Sequence, residues 1–143
     1  MKRTEGNLRL WHCRGIFLAV VLCLTSLAYA QFLDMPKVVD GYCELETPAH
    51  LRRFSSLVNN GSQTLNARLV ADIDMSGEGE FTPIGTYGKG YRGYFDGNGH
   101  TIKGLKLPAQ NYSGLFGYMD GGRVSDLTLQ SPVLYLDNTT VHY

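Results

Sequence analysis

Cysteine is scarce in this chain, charge of either sign is in no excess, and no apolar run is long enough to span a bilayer. The three cysteines among 143 residues stand at positions 13, 23 and 43, and only Cys43 would survive removal of a leader, which excludes a disulfide scaffold. Cys43 is expected as a small buried residue. The 13 basic residues are matched by 13 acidic ones, so the chain carries no electrostatic footprint for nucleic acid or an anionic membrane. Catalytic signatures are missing as well. There is no G-x-S-x-G nucleophile turn and no H-E-x-x-H zinc helix. Gly85-Thr-Tyr-Gly-Lys-Gly90 lacks both the Lys-Ser/Thr step and the following helix of a phosphate loop. No catalytic residue, cofactor or metal ligand is expected.

What is present begins with an export signal. Lys2, Arg3, Arg9 and Arg14 form a basic start, followed by the run Ile-Phe-Leu-Ala-Val-Val-Leu-Cys-Leu over 16–24 and by Leu27-Ala28-Tyr29-Ala30. This order matches a secretory signal peptide, with small residues where the peptidase reads them. Cleavage is expected between Ala30 and Gln31. The alternative, a membrane-spanning helix, would need about 20 apolar residues; residues 16–30 are fewer, and Thr25 and Ser26 interrupt them. A lipoprotein anchor is disfavoured because Cys23 follows Leu22. Cleavage removes four of the 13 basic residues and one of the 13 acidic ones, leaving a net charge of about −3. The expected organisation is a leader over 1–30 and one region over 31–143, routed by the general secretory pathway to the medium or the cell surface, with no stable membrane span after cleavage.

One helix is expected at about 48–60. Thr47 offers a capping hydroxyl, Pro48 suits the first helical position, and Leu51, Phe54, Leu57 and Val58 recur on one face before Asn59-Asn60-Gly61 ends the pattern. Arg52, Arg53, Ser55 and Ser56 fill the opposite, solvated face. Beyond Gly61 the pattern is alternation and turns, with Ala67, Leu69, Ala71, Ile73 and Met75 reading as one strand. Short apolar runs follow, separated by Gly-, Asn- and Asp-rich turns. Ile102-x-x-Leu105-x-Leu107 is matched by Val124-x-x-Leu127-x-Leu129, and Asp74-Met-Ser-Gly77 by Asp96-Gly-Asn-Gly99, both at an interval of 22 residues. Two features at one period predict stacked coils. The expected fold is all-β: a right-handed parallel β-helix (a β-solenoid) whose open end is capped by the short helix.

Several residues invite functional readings. Asp72 and Asp74 share a strand face, and paired carboxylates suit calcium or acid–base work; solvated charges that guard a strand are the simpler account. Asp96-Gly-Asn-Gly99 opens like a calcium loop but lacks the later ligands, and its residues are those of a tight turn. His100 has Asp96 and Ser113 as candidate partners, and a turn histidine that bonds local backbone is the simpler account. Tyr87, Tyr91 and Tyr94 share a glycine-rich stretch, and Tyr112 and Tyr118 flank Gly114-Leu-Phe-Gly117. Exposed aromatics of this kind stack on sugars or meet another protein, so Tyr87 and Tyr91 are the candidate ligand contacts. Asn60-Gly-Ser62, Asn111-Tyr-Ser113 and Asn138-Thr-Thr140 fit the N-glycosylation pattern and are read as turn chemistry.

Phe81-Thr-Pro-Ile-Gly-Thr86, Tyr94-Phe-Asp-Gly-Asn-Gly-His-Thr-Ile-Lys-Gly-Leu105, Gly114-Leu115-Phe116-Gly117 and Val124-Ser-Asp-Leu-Thr-Leu129 together resemble the bacterial GLUG-motif surface proteins, over roughly 42–129. The resemblance implies a right-handed parallel β-helix in adhesin-type repeat proteins, and similar stretches accompany immunoglobulin-cleaving metallopeptidases whose cutting is done by a separate domain. Family members run much longer than a chain with one Gly-Leu-Phe-Gly unit, which makes a fragment or truncated reading frame the expectation. A non-catalytic exported scaffold or adhesion module is the expected function, with a glycan or protein ligand outside the cell and self-association through the exposed last coil at 133–136. The alternatives are a carbohydrate-binding or polysaccharide-degrading protein, drawing on Asp72, Asp74, Lys89 and Arg92, and the non-catalytic leader of a surface metallopeptidase.

Overall fold

Thr47 begins the helix. It is extended (φ −133°, ψ 158°), and its hydroxyl accepts from the His50 N–H at 3.1 Å, which satisfies one of the N–H groups a helix start leaves open. Helix α1 then runs Pro48–Asn59. Leu51, Phe54 and Val58 are fully buried, and such side chains each contribute roughly 1.5–3 kcal/mol on burial. The Asn60 N–H returns to the Ser56 carbonyl at 3.0 Å and that of Gly61 to Val58 at 3.1 Å, which closes the last turn. Ser55 departs from the expected solvated face: it is buried and donates to the Thr82 carbonyl at 2.6 Å.

The computed structural model describes residues 34–135. The leader over 1–30, the Ala30–Gln31 cleavage, Leu136 and Asn138-Thr-Thr140 lie outside the described residues. Ten short strands accompany α1: β1 Lys37–Val39, β2 Tyr42–Leu45, β3 Asn66–Leu69, β4 Ile73–Asp74, β5 Tyr94–Asp96, β6 Thr101–Lys103, β7 Lys106–Pro108, β8 Arg123–Ser125, β9 Thr128–Gln130 and β10 Val133–Tyr135. They form three small sheets, ordered β1-β2-β3-β5-β8, β4-β6-β9 and β10-β7. The β1–β2 pairing is antiparallel and all the others are parallel. Among the described residues no helix is long and apolar enough to cross a membrane.

The class is therefore mixed α/β, with a helix and separate small sheets, and this corrects the all-β right-handed parallel β-helix expected from the sequence. The 22-residue interval behind that expectation does not set any pairing. Ile102 faces Ile73 on one side and Leu129 on the other, while Val124 faces Phe95 in a different sheet. Asp74 lies opposite Lys103, and Asp96 opposite Arg68 and Ser125. Parallel partners are separated by 24 to 29 residues, because connecting turns of unequal length intervene. Short apolar motifs resemble one another whichever edge they join, so their likeness set the wrong register. The single strand expected over 67–75 is also two strands in two sheets. The chain turns at residues 70–72, where the Val70 N–H donates to Leu45 at 3.0 Å.

Side chains from α1, from strands of two sheets and from the connections meet in one core. Leu45, Ala67, Leu69, Phe95 and Ile102 come from the strands, and Phe81, Ile84, Tyr91 and Leu115 from the connections. Phe54 of α1 stands edge-on to Tyr91 and Phe95, with ring centroids 6.0 and 5.9 Å away. Cys43 is buried, and burial pushes its thiol pKa up.

Candidate functional site

The Gly-Leu-Phe-Gly segment is an architectural strip. Leu115 enters the core, its carbonyl accepts from the Ile84 N–H at 2.8 Å, and the Gly117 N–H donates back to the Ile84 carbonyl at 2.9 Å. Further along, the Tyr91 N–H donates to Tyr118 and the Asp120 N–H to Tyr91, both at 2.9 Å. Residues 115–120 thus run beside 84–91, with the stretch between Ile84 and Tyr91 standing out from the pair. Within it the Lys89 N–H closes onto the Thr86 carbonyl at 2.8 Å, and Gly88 has φ 79°, the positive φ that the third position of a type II turn requires. Tyr87 stands at the second position, 76 % exposed.

Three tyrosines gather there. Tyr87 stacks with Tyr112 (6.3 Å between centroids, 27° between planes) and meets Tyr118 edge-on at 5.8 Å; Tyr112 meets Tyr118 edge-on at 5.9 Å. Tyr112 is 54 % exposed and its backbone is left-handed, at φ 63°. For a bulky side chain this conformation is a genuine outlier, with a cost on the order of 1–3 kcal/mol. Two ring contacts, each worth about 0.5–1.5 kcal/mol, offset that strain, and the Ser113 hydroxyl anchors the loop by donating to the Pro108 carbonyl. Beside the rings is an open cleft of about 130 Å³, lined by Thr82, Pro83, Gly85, Thr86, Tyr87, Gln110, Asn111 and Tyr112. None of these side chains is charged.

Tyr91, expected to share ligand contact with Tyr87, belongs to the interior. Its side chain is fully buried, stacked on Phe116 at 5.5 Å, and its hydroxyl donates to the Leu65 carbonyl at 2.8 Å. Burial holds the phenol far above its ordinary pKa. The two tyrosines are only four residues apart, but the turn at Gly88 sends one outward and the strip pairing takes the other in.

The charged candidates have separate structural partners. Asp72 accepts from the Thr101 N–H at 2.9 Å and pairs with His100 Nδ1 at 3.1 Å; these contacts lower its pKa, the backbone bond most. The His100 ring therefore meets Asp72, and neither the local backbone that was its simpler expected partner nor Asp96 or Ser113. Asp74 accepts from the Ser76 N–H at 2.9 Å, and its pKa is lowered by Ser76 first and Lys103 after it. Arg92 pairs with Asp120. In the turn after β5, Asp96 accepts from the Asn98 N–H at 2.9 Å and from Arg68 Nε at 3.0 Å, and the Asn98 amide donates to Leu69 at 3.1 Å. Both acceptor oxygens of Asp96 thus serve the turn and the neighbouring strand. Among the described residues no group of three or more His, Cys, Asp or Glu side chains is gathered as a metal site.

Tyr112 and Tyr118 join Tyr87 in place of Tyr91, and their position flanking Gly-Leu-Phe-Gly was the sequence signal for them. Gln110 and Asn111 had no such signal beyond their nearness to Tyr112. Compared with models of known families, with curated proteins and with solved structures, the chain matches none. The likeness of its motifs to GLUG-motif surface proteins stands on those residues alone.

Proposed function

We propose that the chain is a non-catalytic module of an exported bacterial surface protein, of the GLUG-motif kind, that acts as a scaffold and attaches to a ligand outside the cell. The observation that carries this reading is the cluster of exposed Tyr87 and Tyr112 with half-buried Tyr118. Large aromatics held at the surface, one of them (Tyr112) on a strained backbone, are characteristic of contact surfaces rather than of packing. The basic-apolar-small order of residues 1–30 supports export. The polysaccharide-degrading alternative receives no comparable support: Asp72 and Asp74 are engaged with the N–H groups of Thr101 and Ser76, and Arg92 with Asp120.

Expression of the full chain in a bacterial host tests both parts. Recovery in the envelope or medium with a mass beginning at Gln31 is the expected outcome, and attachment to cells or extracellular matrix should fall with Tyr87→Ala. Retention of the uncleaved chain in the cytoplasm would remove the export reading. Attachment unchanged by Tyr87→Ala and by Tyr112→Ala would remove the assigned surface.

A further inference from the structure

We infer that the tyrosine cluster and its cleft form a subsite for a neutral pyranose unit of a polysaccharide; this rests on the attachment reading above and names its ligand class. A pyranose ring presents C–H groups on one face and hydroxyls around its rim. Its C–H face is attracted to the electron-rich face of an aromatic ring. Tyr87 and Tyr112 are 76 % and 54 % exposed and stack with only 27° between their planes, and Tyr118 stands edge-on to both. That arrangement is a platform with a side support.

The lining of the cleft selects among ligands. Thr82 and Thr86 bring hydroxyls, and Gln110 and Asn111 bring amides with both donors and acceptors. These groups match sugar hydroxyls, which donate and accept in turn. With no charged side chain in the lining, a carboxylated or sulfated sugar would lose its water shell without gaining an ion pair. A protein segment anchored here would need a deeper apolar pocket for its side chains; a cleft of about 130 Å³ is well short of the roughly 300 Å³ at which enclosing small-molecule pockets begin. Stacking on an open platform requires no enclosure. The platform is also formed before the ligand arrives. The turn at Gly88 and the contact of Ser113 with Pro108 hold the backbone that carries the rings, and the rings contact one another, which reduces the ordering that opposes binding. One such subsite binds weakly, and repeated units of a polysaccharide raise the effective concentration.

The test is a titration of the purified protein with hexasaccharides of glucose, mannose, galactose and N-acetylglucosamine, and with oligogalacturonate as the carboxylated comparison, read by backbone amide NMR. At least one neutral hexasaccharide should shift the amides of Tyr87, Gln110, Asn111 and Tyr112. Tyr87→Ala, at an exposed turn position, should weaken that binding by about tenfold while amides elsewhere keep their positions. Tyr112→Phe, which keeps the ring, should stay within about threefold of the parent. No shift with any of the four neutral probes overturns the inference, as does binding confined to oligogalacturonate that survives Tyr87→Ala and is lost in Lys89→Ala. If the neutral probes fail while cell attachment still depends on Tyr87, the glycan assignment falls and the attachment reading stands with a protein ligand.

Discussion

A methyl group on Gly117 would sit 2.7 Å from the Gly85 carbonyl oxygen, 2.9 Å from that of Tyr112 and 3.0 Å from the Pro83 Cβ. Two of those neighbours are backbone and cannot swing aside, so Gly117→Ala should cost about 1–3 kcal/mol, visible as a lower urea midpoint, and should displace Tyr112 from Tyr87. At Cys43, burial and the raised thiol pKa predict that a thiol reagent labels the folded protein no faster than it opens; rapid labelling under native conditions would contradict the burial. Asp72 and Asp74 set an acid dependence. Both carboxyls are held below their ordinary value of 3.8, so their stabilisation is present above that value and is lost as the pH falls through the lower, folded-state pKa. Asp72→Ala should therefore destabilise at neutral pH, and the difference from the parent should narrow below pH 3.8; a difference constant down to pH 2, about two units below an ordinary carboxyl group, would disprove that linkage.

At the scale of elements, α1 shows which interactions follow from local chemistry. Its N-cap, its proline and its Leu51, Phe54 and Val58 stripe all follow from neighbours within a few residues, and Thr47→Ala should cost about 1 kcal/mol. Ser55 and Asn59 do not follow in that way. The Asn59 side chain accepts from the Gly85 N–H at 2.9 Å and donates to the Pro83 carbonyl at 3.0 Å. These bonds pin the helix to the segment that leads into the tyrosine turn, across 24 to 26 residues of chain. Asn59→Ala should leave two polar groups short of a partner, cost about 1–3 kcal/mol, and speed hydrogen exchange at Gly85 above that at Leu69. Apolar periodicity cannot announce such a contact, because a polar side chain on a helix reads as solvated until a carbonyl from elsewhere covers it. Strands β3 and β4 make the same point: the alternation of Ala67, Leu69, Ile73 and Met75 is real, and all four are buried, yet the bend at 70–72 assigns them to different sheets.

For the whole molecule, the three sheets each end on a late strand, β8, β9 or β10, and Val124, Leu129, Val133 and Leu134 along them are 39 to 55 % exposed. Among the described residues nothing pairs with the outer edges of these strands. Unpaired edges with apolar side chains are templates for further strands, and they are the surface that the self-association expected from the sequence would use. Light scattering should then show a mass that rises with concentration, and Leu129→Lys with Val133→Lys should return it to the monomer. A monomer at every concentration would contradict the self-association expected from the sequence.

The sequence by itself determined the helix with its cap and apolar face, the scarcity of cross-links, the turn residues, and the existence of a tyrosine-rich stretch around Gly-Leu-Phe-Gly. Each depends on side-chain chemistry acting over a few residues. Tertiary structure alone decided the mixed class in place of the all-β one, the pairing intervals of 24 to 29 residues in place of 22, and the exchange of Tyr91 for Tyr112 and Tyr118 at the candidate site. These outcomes depend on which distant segment lies alongside which. Short strands with interchangeable Ile, Leu and Val carry almost no information about that choice; the lengths of the turns and the close approaches they allow, such as that at Gly117, settle it.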